Sequence, residues 1–144
     1  RASGLEIDER LRGIGAYGEL AAFEPIVSTQ GDCYARCDVR AQEVLQSMDI
    51  IKELVDKIPD GEVMVPVKGN PKDGAMAMTT VEQPRGQAFY YAKGNGSKFL
   101  QRMRIRTPTS QNLAGLVAAL SGCDFADVPM VVLTIDPCIS CTER

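Results

Sequence analysis

The chain has 144 residues, 44% of them hydrophobic and 24% charged, the profile of one ordinary soluble globular domain with a hydrophobic core. A net charge of −3 argues against nucleic acid as the main partner, and the apolar runs are too short to span a bilayer. Histidine is absent, which excludes His-dependent nucleophilic catalysis and zinc sites of mixed Cys/His type.

The first thirty residues predict no regular element, because Gly4, Gly13, Gly15, Gly18 and Pro25 interrupt any long helix. The clearest helix is predicted over 32–58. Asp32 stands at its N-cap, and Pro59 with the Asp60-Gly61 turn ends it. Val44, Met48, Ile51, Val55 and Ile58 recur at three- and four-residue steps, which predicts a buried stripe. Glu53 and Lys57 are spaced for an i,i+4 ion pair. Cys33 and Cys37 share one face of the first turns. Packing is their expected role, with metal or redox chemistry the alternative.

Between Glu62 and Arg106 the period changes to two, beginning with Val63, Val65 and Val67. Strands are predicted over 75–82, 87–92 and 98–106, with Gly94-Asn95-Gly96-Ser97 as a hairpin turn between the last two. Arg102, Arg104 and Arg106 fall on one face of the final strand, expected to be a solvated face in an acidic chain. A second helix is predicted over 110–121, with Thr109 as N-cap and Leu113, Leu116, Val117 and Leu120 on one side. The apolar run 124–135 is compatible with strand or helix. Together these elements predict a single α+β unit: a long helix, short antiparallel strands, a second helix and a C-terminal tail.

The five cysteines, Cys33, Cys37, Cys123, Cys138 and Cys141, form an odd set at irregular spacing, unlike a secreted disulfide framework. A reducing compartment with working thiolates is the expected setting. Cys138 and Cys141, two residues apart, can turn both sulfurs toward one soft or borderline metal ion. Pro137 stiffens that turn, and Asp136 is expected to accept its backbone N–H bonds. A thioredoxin-type dithiol and half a zinc ribbon share this spacing. The former opens a helix, for which the three residues after Cys141 leave no room; the latter needs two further ligands.

Asp136-Pro137-Cys138 through Cys141-Thr142-Glu143-Arg144 resembles the C-terminal motif of nickel–iron hydrogenase large subunits. The ending is similar to the membrane-bound, energy-converting (Ech-type) branch, in which Arg stands where most others have His. Glu82-Gln83-Pro84-Arg85-Gly86 resembles that family's Glu-Ala-Pro-Arg-Gly, and Arg106-Thr107-Pro108-Thr109 its Pro-Ser/Thr segment near the iron. Gly31 to Arg36, Arg40, Ser47 and Ile58 to Gly61 are similar to the related quinone-site subunit of respiratory complex I, which lacks the metal cysteines. The match runs in order along essentially the whole chain.

The resemblance implies reversible heterolytic oxidation of dihydrogen at a nickel–iron centre whose iron carries CO and cyanide. Cys138 is then a terminal thiolate on nickel and the first candidate to accept the proton, while Cys141 bridges nickel and iron. Arg85 lies beside the cyanides and acts through its charge, because a guanidinium with a pKa above ~12 is a reluctant base. Apart from the motif, Arg85 is expected to be a turn residue in a salt bridge. Thr109 donates a hydrogen bond to a cyanide, and Pro84 and Pro108 shape a dry pocket. Implied partners are a small subunit with iron–sulfur clusters, the N-terminal part of the large subunit, and membrane subunits. Through these the chain would sit peripherally on the cytoplasmic side of a membrane.

The family's second Cys-x-x-Cys belongs to that N-terminal part, and Cys33 to Cys37 has the wrong spacing for it. The chain is therefore expected to be the C-terminal portion of a longer subunit, starting at Arg1 without an initiator Met and ending at a processed terminus, Arg144. Alone it should show little or no activity. The alternative is a non-catalytic complex-I-like scaffold or quinone-site subunit whose terminal cysteines hold zinc or nothing.

Overall fold

The computed structural model describes residues 1–143; Arg144, with the expected His replacement and processed terminus, lies outside the described residues. Helix α1 spans Cys33–Val55, and the Asp32 carboxylate caps it by accepting the Ala35 N–H at 2.7 Å. It ends before the predicted Ile58, because Pro59 lacks an N–H and disfavours helical backbone in the residue preceding it. Lys57 meets Glu53 at 2.7 Å as the spacing requires.

The stripe expected to be buried on α1 is not. Only Ala35 and Val39 of the helix are buried, while Val44, Met48, Ile51, Val55 and Ile58 are each more than half exposed. The second half of α1 is tied to the preceding segment through polar contacts instead. Glu53 accepts the Ala21 N–H at 2.8 Å, Gln46 donates to the Glu24 carbonyl at 2.7 Å, and Lys57 donates to the Glu19 carbonyl.

Strands β1 (Met76–Gln83), β2 (Gly86–Gly94) and β3 (Leu100–Arg106) form a three-stranded antiparallel sheet in that order. Pro84-Arg85 is the two-residue turn between β1 and β2, closed by the Gln83–Gly86 pair. Gly86 has φ 124°, a backbone that side chains oppose, and the turn lies beside Pro108. In the second hairpin Asn95 Oδ1 accepts the Ser97 N–H at 3.0 Å, and the strand resumes at Leu100. Val63 to Val67 forms no strand. Pro66 interrupts the alternation, no strand pairs with this segment among the described residues, and Val63, Val65 and Val67 are fully or largely exposed.

Helix α2 spans Pro108–Leu120, with Pro108 in the first turn, where its missing N–H costs nothing. Thr107 therefore occupies the cap position that the sequence pattern gives to Thr109. The ambiguous apolar run is helical: a single 3₁₀ turn at Phe125–Asp127 leads into α3 (Val128–Thr134). One further turn, α4, covers Ile139–Thr142. Among the described residues no helix is long and apolar enough to cross a membrane.

The loop-rich N-terminal segment contains two 3₁₀ turns, Glu9–Arg12 and Gly15–Glu19, and is held by charge. Arg1 meets Glu43 of α1 at 2.7 Å, Glu82 of β1 at 2.8 Å and Asp8 at 3.2 Å, and Arg10 meets Asp8 at 2.6 Å. Glu9 accepts the Thr80 hydroxyl at 2.6 Å and the Gln87 amide at 2.5 Å. Asp8 and Glu9 are both buried, which carboxylates tolerate only when paired in this way. Burial pushes the Asp8 carboxyl up, but hydrogen bonds from Arg10 and the charges of Arg10 and Arg1 bring it below its ordinary value.

Candidate metal centre

The cysteine pair is carried by the turn that leaves α3. Asp136 adopts φ 51°, a left-handed conformation that Asp tolerates better than most side chains, and its N–H bonds the Leu133 carbonyl at 2.9 Å. The residue pattern predicts that its carboxylate accepts backbone N–H groups of the turn. Among the described residues it instead takes Arg40 of α1 at 3.0 Å and Arg85 of the β1–β2 turn at 3.3 Å. Arg85 Nε also donates to the Asp136 carbonyl at 2.7 Å, and Asn112 of α2 donates to the Arg85 carbonyl at 3.1 Å. Arg85 is thus a turn residue in a salt bridge, and that salt bridge fixes the chain entering Cys138.

Two threonines hold the pair from the other side. Thr109, 1% exposed, accepts the Cys138 N–H at 3.3 Å, and the Thr107 hydroxyl donates to the Cys141 carbonyl. The Cys141 and Thr142 N–H groups both return to the Cys138 carbonyl at 3.1 Å. Cys141 is buried and Cys138 half-buried, giving an inner and an outer thiol. Pro108 is buried, whereas Pro84 is exposed at the hairpin tip, its carbonyl accepting from Arg40 at 3.4 Å.

The two thiols are electrostatically unequal. The Ser140 hydroxyl, with its Oγ 3.3 Å from the sulfur, and the Cys141 N–H and thiol lower the Cys138 pKa from 9.0 to about 7; the Arg85 charge adds to this. Cys141 moves up, because it is hydrogen-bonded to Cys138, buried, and repelled by charge there; Thr109 and Arg85 oppose the shift. A thiol so poised is the right donor for a soft metal near neutral pH. The Arg85 guanidinium is a suitable donor to ligands on such a metal, and the Thr109 side chain already hydrogen-bonds Cys141. The donor set therefore fits part of a thiolate centre. Among the described residues no third His, Cys, Asp or Glu joins the pair as a possible ligand.

The remaining cysteines lie elsewhere. Cys33 accepts from Arg36 Nη2 at 2.9 Å, Cys37 is exposed, and Cys123 is half-buried. A cleft of about 540 Å³ opens beside the centre, lined by Arg36, Arg40, Glu43, Glu82, Arg85 and Thr134 among others, but by neither cysteine.

Spacing in the chain does not reveal the contacts made by Arg40, Asn112 or Ser140. Arg40 lies 96 positions from Asp136, and although it belongs to the complex-I-like pattern, nothing in that pattern points to this partner. Thr107 was findable: a Thr followed by Pro before an apolar run is itself a helix-start signal.

The fold has a close counterpart in the structure of the membrane-bound sulfane sulfur reductase, an archaeal respiratory membrane complex. The match has TM-score 0.88 and 30% identity, over all of this chain and 41% of that one. The α+β arrangement is that of a complex-I-related family of proteins. The chain belongs to the family of the respiratory-chain NADH dehydrogenase 49 Kd subunit, which matches residues 1–73 and 67–144.

Relatives carry different activities in their names. The chain is 39% identical to the carbon monoxide-induced hydrogenase of Rhodospirillum rubrum and 31% identical to the alpha subunit of the membrane-bound hydrogenase of Pyrococcus furiosus. It is 35% identical to an NADH-quinone oxidoreductase subunit of Phocaeicola vulgatus. All of this chain is aligned in each case, but it spans only 40%, 37% and 28% of those proteins respectively.

Proposed function

We propose that this chain is the C-terminal part of the catalytic subunit of a membrane-bound, energy-converting nickel–iron hydrogenase. Cys138 and Cys141 would be two thiolate ligands of the centre. The observation that carries this is the unequal thiol pair, fixed by Thr107 and Thr109 and held under the charge of Arg85. When bound, a nickel–iron centre with CO and cyanide on its iron supplies heterolytic activation of dihydrogen.

The chain's own groups then have separate tasks. Cys138 Sγ, the outer thiol, would be one thiolate ligand and the group to hold a released proton, and Cys141 Sγ, buried, would be the inner thiolate ligand. Arg85 contributes positive charge without giving up a proton, its Nε being engaged by Asp136. Thr109 accepts the Cys138 N–H and hydrogen-bonds Cys141, so it would steady both thiolates. Pro108 keeps that side of the site dry.

The remaining thiolates would come from the N-terminal part of the same subunit. Electrons would pass to iron–sulfur clusters in a small subunit, and membrane subunits would hold the assembly on the cytoplasmic side. Faces left open on this chain, such as the α1 stripe, agree with burial in a larger body. Metal analysis of the purified complex tests the proposal. Nickel with iron, and infrared bands from CO and cyanide, are expected. Zinc alone, or no metal, rejects it.

A second reading rests on the similarity to NADH-quinone oxidoreductase subunits and to the sulfane sulfur reductase structure. On it, the chain is a scaffold or quinone-site subunit whose cysteine pair holds zinc or nothing. The same metal analysis separates the two.

A further inference from the structure

Charge is unevenly spread along this chain. Residues 63–106 contain eight Lys or Arg against two Asp or Glu, whereas the remainder contains eight against seventeen. The sheet gathers much of this excess on one face. Lys93 pairs directly with Arg102, Tyr91 with Arg104 and Phe89 with Arg106; on the other side Met76 pairs with Lys93 and Met78 with Tyr91. Residues directly opposed in an antiparallel sheet share a face. Lys93, Arg102 and Arg104 therefore project together with Tyr91, Met76 and Met78.

The two ends of this face differ. At one end Arg106 donates to Gln87 at 2.7 Å, and Thr80 and Gln87 bind Glu9. At the other end, among the described residues, no carboxylate forms an ion pair with Lys93, Arg102 or Arg104. Arg102 and Arg104 are exposed, as are Met76 and Met78 at 67% and 70%. The segment before β1 brings Lys72 toward the same end, joined there by the Gly74 N–H to the Gly94 carbonyl at 3.1 Å.

Two simpler explanations fall short. Charges on an edge strand discourage edge-to-edge aggregation, which accounts for arginines on β3, but Lys93 lies on the central strand, where there is no edge to protect. A merely solvated face has no need of a directly opposed like-charge pair, which is destabilising in a sheet. Lys93 opposite Arg102 is such a pair, and a carboxylate brought from outside relieves it.

We propose that this face docks an acidic surface of another subunit, with carboxylates taking Lys93, Arg102 and Arg104 and apolar side chains seated on Met76, Met78 and Tyr91. The proposal rests on the multi-subunit assembly above for the existence of that subunit. A protein surface is favoured over an anionic bilayer because the cations are ruled across a pleated sheet. Arg102 and Arg104 lie roughly 7 Å apart along β3, a spacing that placed carboxylates can match.

The experiment uses the intact complex and a zero-length carboxyl–amine cross-linker, followed by peptide mapping. Lys93 is expected to join an Asp or Glu of another subunit, with a yield that falls several-fold at high salt. The Arg102→Glu/Arg104→Glu variant should hold that subunit about tenfold more weakly, with Arg102→Gln/Arg104→Gln intermediate. An assembled complex in which Lys93 joins only its own chain, or nothing, overturns the proposal. So does binding to vesicles containing anionic phospholipid that is lost on charge reversal while subunit composition stays unchanged. A chain that purifies without any other subunit instead removes the assembly on which the docking depends, a separate failure.

Discussion

At the cysteine corner Thr107, Pro108, Thr109 and Cys141 are buried, whereas Val44, Leu45, Met48, Ile51 and Val55 on α1 are each more than half exposed. The corner closes on polar atoms. Its hydroxyls, guanidinium and carboxylate find one another within the chain, across α1, the β1–β2 turn, α2 and the segment after α3. The flank carries the larger apolar side chains and leaves them open. This inverts the usual arrangement, in which large aliphatic residues make the core and polar groups the surface. Such a division leaves the polar corner ordered within the chain and the apolar flank open for a covering surface.

The corner is best broken at the thiols. In the full complex, Cys138→Ser or Cys141→Ser should lower nickel retention and hydrogen turnover by more than about 100-fold, since even outer-shell partners of a metal site are worth 10–100-fold. Nickel content and infrared spectra measure this. If the pair is a structural zinc site or empty, both variants leave turnover unchanged.

Next in size is the buried carboxylate that ties the N-terminal segment to the rest. Asp8→Asn leaves Arg1 and Arg10 without their shared partner and should cost about 3 kcal/mol at neutral pH. The sign with pH follows from the lowered carboxyl pKa. The wild-type contribution is present above the ordinary value of 3.8 and is lost as pH falls through the folded value. The gap between the two proteins in a denaturant titration should therefore close as the solution is acidified below about pH 4. A gap that stays constant or widens contradicts this assignment.

A smaller effect is expected at Thr109. Thr109→Val keeps the shape but removes the acceptor of the Cys138 N–H, which should cost about 1–2 kcal/mol. Thermal unfolding measures the loss. Thr109→Ser, which keeps the hydroxyl, should recover most of it.

The difference between the regions also marks what could be read from sequence. Turn chemistry and capping are local, so Asp32, the Gly94 to Ser97 hairpin and the Glu53–Lys57 pair appeared where their residue types required. The α1 stripe was visible as a period, but a period does not say whether the covering surface lies in the same chain. Val63 to Val67 alternated like a strand and found no neighbour. The cysteine pair and the Pro84-Arg85 and Pro108-Thr109 segments stood out as motifs. Their joining through Arg40, Asp136 and Thr107 depends on contacts up to 96 positions apart, which no spacing rule encodes.

The smallest expected effect sharpens the comparison most. Met48 is 52% exposed on α1, so Met48→Gln in this chain by itself removes little buried surface. Its unfolding midpoint should change by no more than about 0.5 kcal/mol equivalent, as for other surface substitutions. A core position would lose about 2–5 kcal/mol on truncation, so the measurement separates an open stripe from a buried one. In the assembled complex the same substitution places an amide where an apolar surface is expected to sit. The cost there should rise to about 1–3 kcal/mol, the range for burying a polar group without a full set of partners. A Met48→Gln complex as stable as wild type means that this stripe stays open in the assembly. Only a cost that appears on assembly marks the α1 flank as an interface.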